Sequence, residues 1–459
     1  MLPEVISLNQ ASGLIRIPPS DGVPLSRRVR RIIDSAAMRR LASISQLGMV
    51  SLVYPGAMHS RFEHSLGVYH NALRLLARLD SDTAFQNLVD ETMCEAFVLA
   101  ALVHDVGHWP FCHPIEDMRL DGLEEHESRV GQWLRKPEIA DCIDQDWNAT
   151  IDDVLELLQP ISKSPAVTFL ASCLSGPIDV DKLDYLQRDS LHAGVPYGNN
   201  FDTNRLIASI CVHPEKGQLA VGEKGRTAAE MMVFARYVMF SEVYWHHTVR
   251  SATAMLQRAV FLLQNRFDLQ SSLRLVDAEW IAMLTRAAEG SVAEPLANGL
   301  FGSRRQLYKR VAEFSAIPSE ADSEQGLQTT AIHRQLARRP YWWLVVCAES
   351  LASHLSQQCG VPVHAADVLI DAPPSKLEVD INVDVVMRDG RSSTLGDVSP
   401  VASALANQQF DNQVKRVRVF VRREVRDQLR QQMGDRGSST RQWAQWLASA
   451  IEITEQGMA

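Results

Sequence analysis

The chain has 459 residues, a length that fits two or three domains or one large helical body. Its hydrophobic content of 46% and charged content of 22% are ordinary for a globular protein, and its net charge of -9 argues against indiscriminate binding to polyanions. The seven cysteines are scattered without a CxxC pair, which argues against a disulfide framework or a zinc knuckle and favours a reducing compartment. Because the N-terminus lacks a signal-peptide pattern and no apolar run approaches ~18 residues, the sequence predicts a cytoplasmic protein without a membrane span.

The N-terminal half of the chain is predicted to be helical. Residues 1–25, with three prolines and a glycine near their end, predict an irregular or short-strand lead-in. Apolar residues at helical spacing then predict three helices, and Gly107 and Pro110 end the third. These helices span 26–48, 62–79 and 88–106, and shorter helices are predicted over 126–135, 151–158, 165–175 and 179–191.

The C-terminal half mixes both kinds of element. A hairpin is predicted over 210–221, and a long helical stretch over about 226–268. Residues 287–330 are rich in Gly, Ser, Glu and Asp, which predicts a loop or mobile connection. A helix near 341–358, strands at Leu377–Met387 and Val417–Val421, and a helix near 440–453 follow.

These elements predict a mainly α fold with a smaller C-terminal α/β portion. The predicted organisation has four parts. They are the lead-in at 1–25, a helical core at 26–285, the connection at 286–330, and a regulatory or oligomerisation region at 331–459.

Three segments concentrate side chains that bind metals. They centre on His64, on the pair His104 and Asp105 about 40 residues later, and on Asp181 within a DVDKxDY run. An isolated His-Asp pair is usually structural, but this ordered set is not expected by chance. Imidazole combined with carboxylate suits iron, manganese, zinc or cobalt better than calcium.

The spacing within the second segment restricts its geometry. His104 and Asp105 are consecutive, so their side chains diverge by about 100° on a helix and converge only beside a helix end. His108 shares a face with His104 if the helix extends that far. His108 and His113 are then placed to act as acid, base or phosphate contacts.

As a group, these motifs resemble those of the HD-domain deoxynucleoside triphosphate (dNTP) triphosphohydrolases. The similarity is dense over about 30–270 and thinner afterwards. The matching segments are Gln46–Gly48, Tyr54–Ala57, Arg61–Val68, His104–His108, Pro110–His113, His126–Glu127, Asp179–Asp189 and Asn199–Asp202. The resemblance implies a helical HD phosphohydrolase core that hydrolyses dNTP to deoxynucleoside and triphosphate.

The resemblance also implies residue roles. The implied ligands of one divalent transition metal (Fe, Mn, Zn or Co) are His64, His104, Asp105 and Asp181. The implied catalytic residues are His113, His126, Glu127 and His108. The implied substrate contacts are Gln46, Leu47, Arg61, Lys182, Tyr185, Asp189 and Trp245. Magnesium on the nucleotide phosphates, a nucleotide activator and a homo-oligomer are further implications.

Two departures from the family pattern leave alternatives open. The Asp-Pro-x-His-Gly segment of many nucleotide-activated relatives is missing from the N-terminal region, and Trp245 stands where relatives often have tyrosine. The first departure puts the activator site in doubt and the second affects stacking of the base. The alternative functions are an HD phosphomonoesterase or phosphodiesterase acting on another nucleotide, and a non-catalytic nucleotide sensor.

Basic residues cluster near the start and the end of the chain. They predict either a surface that binds an effector nucleotide or single-stranded nucleic acid, or an ordinary solvated face. The residues are Arg27, Arg28, Arg30, Arg31, Lys415, Arg416, Arg418, Arg422 and Arg423.

Overall fold

The computed structural model describes residues 1–9, 13–317, 323–360, 362–372, 382–405, 414–434 and 439–457. The helices up to residue 209 are α1 Pro3–Ile6, α2 Arg27–Ile33, α3 Ala36–Leu41, α4 Arg61–Leu79, α5 Thr83–Leu88, α6 Glu91–Val103, α7 Cys112–Glu116, α8 His126–Leu134, α9 Pro137–Asp146, α10 Ile151–Leu158, α11 Pro165–Ser175, α12 Val180–Ala193 and α13 Thr203–Ser209. The later helices are α14 Arg226–Met239, α15 His247–Leu263, α16 Leu269–Ser272, α17 Asp277–Ala288, α18 Glu294–Phe301, α19 Ser323–Leu336, α20 Tyr341–Cys359, α21 Leu395–Val398, α22 Pro400–Ala404, α23 Arg423–Met433 and α24 Thr440–Gln456.

The strands are short and pair mostly in antiparallel fashion. They are β1 Leu14–Ile17, β2 Ser20–Pro24, β3 Ile210–Val212, β4 Leu219–Gly222, β5 Lys309–Phe314, β6 Val368–Asp371, β7 Asp384–Val386, β8 Ser392–Thr394 and β9 Val417–Val421. The predicted mainly α fold with a smaller C-terminal α/β portion is confirmed.

The chain divides into two compact units. The first comprises Met1–Pro110, Glu124–Met239 and Val379–Asn407, and the second comprises Phe111–Leu123, Phe240–Glu378 and Gln408–Ala459. Both units are therefore built from segments that are far apart in the sequence.

The first unit is built around α4, which packs against α6 and α12. Every side chain from Ala96 to Val103 on α6 is buried, which explains why that stretch is apolar all round. A sheet with the order β3-β4-β7-β8 belongs to the same unit, and its Ala220 pairs in parallel with Asp384.

The second unit contains a sheet with the order β5-β9-β6, in which β9 pairs antiparallel with both neighbours. Helices α20 and α24 pack on it. Their shared core includes Phe314, Leu351, Val419, Trp443 and Leu447, all essentially inaccessible to solvent. This burial on both sides of β9 explains the apolar character of Val417–Val421.

Several local predictions are confirmed and others are corrected. The hairpin near 210–221, the strand Val417–Val421 and the helices near 341–358 and 440–453 are present. The predicted helix over 26–48 divides at Ser35, whose hydroxyl caps α3. The long helix over 226–268 is broken by a π turn at Phe240–Tyr244.

The predicted loop over 287–330 is wrong in part, because α18, β5 and the start of α19 lie there. Composition misled the prediction, since Gly299 on α18 is buried where a side chain would collide with the carbonyl of Gln306. The predicted strand Leu377–Met387 lies outside the described residues up to position 381, and its described part forms β7.

The basic clusters contribute to internal ion pairs. Arg28 pairs with Glu4 at 2.7 Å and Glu95 at 2.5 Å, and its guanidinium stacks on Trp147. In the second unit, Glu313 binds the guanidinium groups of Arg416 and Arg418. These arginines therefore stabilise the fold, and Arg27 and Arg30 are exposed.

Within the described ranges, no helix combines the length and the apolar character needed to cross a lipid bilayer.

Candidate metal centre

Three helix ends of the first unit carry the predicted metal ligands. The Ser60 hydroxyl caps α4, so that Arg61 begins the helix and His64 lies at the end of its first turn. The Asp179 carboxylate caps α12 by accepting the backbone N–H of Lys182, which places Asp181 in the first turn.

The third helix end explains how two consecutive ligands converge. The predicted helix over 88–106 ends earlier, at Val103, and residues His104–Gly107 form a 3₁₀ turn. In this turn His104 Nε2 and Asp105 Oδ1 lie 3.4 Å apart, so both side chains approach the same point. His108 then has an extended backbone, so it does not continue a helical face with His104.

The four predicted ligands lie together. His64 Nε2 and His104 Nε2 are 3.3 Å apart, and Asp181 Oδ1 lies 2.9 Å from the first and 3.8 Å from the second. Asp105 Oδ1 is 3.4 Å from His104 Nε2. Donor atoms of His64, His104 and Asp105 all lie within 4.8 Å of one another.

The outer nitrogens of both imidazoles have acceptors. His64 Nδ1 lies 2.8 Å from Asp184 Oδ2, and His104 Nδ1 lies 3.0 Å from the carbonyl oxygen of Ala101. An acceptor at Nδ1 requires a proton on that nitrogen, which leaves Nε2 as the atom that binds a cation.

This donor set fits a divalent transition metal. Two donors at about 2.1 Å from one ion lie roughly 3.0–3.4 Å apart, and the two Nε2 atoms meet that spacing. Two nitrogens with carboxylates form a mixed set typical of iron, manganese, zinc or cobalt.

Charges around the centre favour a cation at Nε2. Burial opposes charge on His64, but Asp181 and Asp184 outweigh it and raise the histidine pKa to about 10. Burial would also raise the pKa of Asp105, but His108, His104 and Arg61 hold it well below its usual range. Without a metal, a proton on His64 occupies the favourable position, so binding an ion releases that proton.

Arg61, His108 and His126 lie beside the centre. Arg61 Nη1 donates to Asp105 Oδ2 at 2.9 Å, and the guanidinium is buried. His108 Nδ1 is 3.1 Å from Asp105 Oδ1, and the His108 ring lies 3.8 Å from that of His126, centroid to centroid. Glu127 follows His126 at the start of α8 and is exposed.

His113 belongs to the second unit, on α7. Its side chain is 60% exposed, and Nδ1 lies 3.7 Å from Glu116 Oε2. Trp245 is also in the second unit, where it is buried beneath the guanidinium of Arg250 at 4.3 Å. Arg250 in turn binds Asp371, so Trp245 contributes to a packed, charge-paired core.

The remaining predicted substrate residues surround α12 in the first unit. Lys182 Nζ pairs with Asp179 Oδ2 at 2.5 Å. Burial raises the pKa of Asp179 to about 6 although Lys182 lowers it, and burial also raises the pKa of Tyr185. Asp189 Oδ1 binds the buried His59 Nε2 at 2.9 Å.

Gln46 and Leu47 precede a 3₁₀ turn at Gly48–Leu52 and are half-buried. The backbone N–H of Gln46 donates to the carbonyl of His59. Its side-chain Oε1 is buried and makes no hydrogen bond to the described part of the chain. This oxygen is an acceptor suited to a polar ligand.

Sequence reasoning missed the residues behind His64. The buried Asp184 and Arg188 form an ion pair there that the half-buried Glu63 extends, and His192 Nε2 lies 3.0 Å from Glu63 Oε1. The four-residue spacing of Asp184 and Arg188 on one helix was the available signal for their ion pair. Their connection to His64 depends on how α4 packs against α12.

Two family models match the chain. Residues 61–141 match the HD domain, and residues 201–436, more than half of the chain, match the HD associated region. An uncharacterised protein of Methanocaldococcus jannaschii is 29% identical over 385 residues, which cover 83% of this chain and 73% of that protein.

Two further relatives differ in what they share with the chain. A deoxynucleoside triphosphate triphosphohydrolase of Danio rerio is 28% identical over 274 residues, which cover 52% of this chain and 43% of that enzyme. A phosphohydrolase of Bacteroides thetaiotaomicron has the same fold, with a TM-score of 0.67 at 23% identity over 89% of this chain and 100% of the other. The match thus spans less than half of the Danio enzyme.

Proposed function

Because this chain belongs to the family defined by the HD associated region and carries an HD domain, the mark of metal-dependent phosphohydrolases, we propose that it hydrolyses deoxynucleoside triphosphates to deoxynucleoside and triphosphate. The observation that carries the proposal is the convergence of His64, His104, Asp105 and Asp181. The similarity to a dNTP triphosphohydrolase over 274 residues supports the substrate.

The four ligands hold one divalent ion in this proposal. When bound, such an ion polarises a phosphoryl oxygen and lowers the pKa of a water molecule. His64 and His104 supply neutral nitrogens, and Asp105 and Asp181 supply the negative charge that offsets the ion. The Asp181 side chain is one-third exposed, so a substrate reaches the ion beside it.

Other residues act on the phosphates and the sugar. Arg61 is fixed by Asp105 and directs positive charge to a phosphate, while Lys182 serves the same purpose from α12. His113 and His126 supply acid–base groups, with His108 and Glu127 supporting them. Gln46, Leu47, Tyr185, Asp189 and Trp245 complete the substrate contacts. Magnesium on the phosphates, a nucleotide activator and a homo-oligomer belong to the same proposal.

Product analysis in ¹⁸O-labelled water tests the reaction. The manganese-loaded protein is incubated with each dNTP and rNTP, alone and mixed, and Asp105→Ala serves as the control. Attack of water at the α-phosphorus breaks the bond to the 5′-oxygen, so the label enters triphosphate and the deoxynucleoside is unlabelled.

Other products point to the alternatives. Orthophosphate or pyrophosphate as the first product assigns the chain to the phosphomonoesterase or phosphodiesterase class. Nucleotide binding without turnover, alone or in any mixture, identifies a sensor. Activity only in mixtures identifies a nucleotide activator, and the molecular mass with and without nucleotide reports the oligomer.

A further inference from the structure

A carboxylate lies behind the proposed metal ligand His64 and has no role in the proposed chemistry. Asp184 is on α12, one turn beyond Asp181, and its Oδ2 lies 2.8 Å from His64 Nδ1. His64 is 1% exposed and Asp184 3%, so water does not compete for this hydrogen bond.

A guanidinium fixes the orientation of this carboxylate. Arg188 donates from Nε to Asp184 Oδ2 at 2.8 Å and from Nη2 to Oδ1 at 2.7 Å, a two-point contact. Arg188 is itself held through Nη1 by Glu63 at 2.7 Å and by the carbonyl of Pro18. Asp184 therefore cannot rotate away from His64 without breaking a buried ion pair.

The backbone of α4 leaves space for this arrangement at one position. Gly67 lies one turn after His64, and a Cβ there would overlap Asp184 Oδ1 and Arg188 Nη2. The absence of a side chain at Gly67 permits the close contact between α4 and α12.

We propose that Asp184 is a positioning residue that fixes the ring and the tautomer of His64, so that Nε2 presents its lone pair to the metal, and that Arg188 holds Asp184 in place. This inference rests on the proposed metal site. A carboxylate behind a ligating histidine also makes the imidazole a stronger donor. His104 has a neutral acceptor, the carbonyl of Ala101, at the equivalent nitrogen, so the two histidines differ in donor strength.

A second carboxylate on α12 supplies a matched control. Asp189 also contacts a buried histidine at 2.9 Å, but this partner is His59, which is not among the proposed ligands. Asp184→Asn and Asp189→Asn remove the same charge from the same helix. Only the first change affects a histidine at the metal site.

Manganese affinity is the measurement, made without nucleotide so that it is independent of turnover. Mn²⁺ is titrated into metal-free wild type, His64→Ala, Asp184→Asn and Asp189→Asn, and free Mn²⁺ is followed by electron paramagnetic resonance. We expect Asp184→Asn to raise the Kd by roughly 10–100-fold and Asp189→Asn to keep the wild-type Kd. Equal Kd values for wild type and Asp184→Asn, or equal weakening in both Asn variants, overturn the inference.

The design separates this inference from the metal site itself. If wild type and His64→Ala bind Mn²⁺ equally, the proposed metal site is wrong and the inference falls with it. If only His64→Ala loses affinity, the metal site stands and Asp184 has no positioning role.

Melting curves of the metal-free variants report folding. Should Asp184→Asn fail to fold, Asp184→Glu keeps the charge opposite Arg188 while displacing the oxygen, and a wild-type Kd for it overturns the inference.

Discussion

Each unit contains a buried cluster of charged side chains, and the two clusters differ in whether their groups are paired with one another. In the second unit, Arg250 and Asp371 satisfy each other, and Trp245 covers the guanidinium. In the first unit, His64 Nε2 and His104 Nε2 face each other at 3.3 Å, a contact that is favourable when one cation lies between them. A cluster whose donors match its acceptors holds the fold, whereas converging like groups are suited to a ligand.

The largest expected effect comes from removing a carboxylate of the first cluster. Asp105→Ala should abolish metal binding, because the remaining ligands hold an ion weakly and Arg61 loses its partner. Activity should fall by roughly 10³-fold or more, since an electrostatic element of the reaction is lost. Metal content by mass spectrometry and turnover of dNTP check this together. A variant that retains both metal and activity removes Asp105 from the site.

A smaller loss of rate is expected from a histidine of the second unit. His113→Ala should keep the metal and lower kcat by roughly 10²–10⁴-fold, as removal of an acid–base group does. Because this side chain is exposed, the melting temperature should not change. Loss of metal in this variant would make His113 a ligand. An unchanged kcat in His113→Ala would show that His113 is not the acid–base group and would assign that role to His108 or His126.

A change in the Arg250–Asp371 cluster should lower the stability of the fold and leave metal binding unaffected. Asp371→Ala leaves the buried guanidinium of Arg250 without its carboxylate, which costs about 3–5 kcal/mol of unfolding free energy. Urea unfolding measures the loss, and Mn²⁺ affinity should stay at the wild-type value. A higher Kd for Mn²⁺ in Asp371→Ala would contradict the distinction between the two clusters.

The smallest expected effect concerns acid stability. Burial opposes ionisation of Glu313, but Arg418, Arg416 and Arg310 lower its pKa to about 2. A carboxyl with a depressed folded-state pKa stabilises the fold above its unfolded pKa and loses that contribution as pH falls through about 2. Glu313→Gln should therefore remove about 2–3 kcal/mol at neutral pH and flatten the stability profile between pH 4.5 and 2. Parallel profiles for wild type and variant would exclude this role.

Local patterns carried much of the prediction. The apolar periodicity of α4, the apolar run of α6, the hairpin β3–β4 and the spacing of the metal-type residues were all readable from the sequence. The four proposed ligands were singled out because they lie in compact motifs that match the pattern of a known family. The assigned roles of those residues remain predictions.

Features that depend on packing were not predictable. The contact of Asp184 with His64 joins residues 120 positions apart, and no local pattern shows it. Gly299 on α18 favoured a loop in the sequence, because only the packed structure shows that it lies buried against the carbonyl of Gln306. The π turn at Phe240–Tyr244 has no signal in apolar periodicity, which continues across it.

The sheet of the first unit has a consequence for synthesis of the chain. Ala220 on β4 pairs in parallel with Asp384 on β7, so β4 leaves the ribosome long before its partner is translated. At common elongation rates this delay is on the order of ten to thirty seconds. During that interval one edge of β4 presents unpaired backbone groups to other nascent chains. The sheet of the first unit is therefore completed only after β7, near residue 384, has been made.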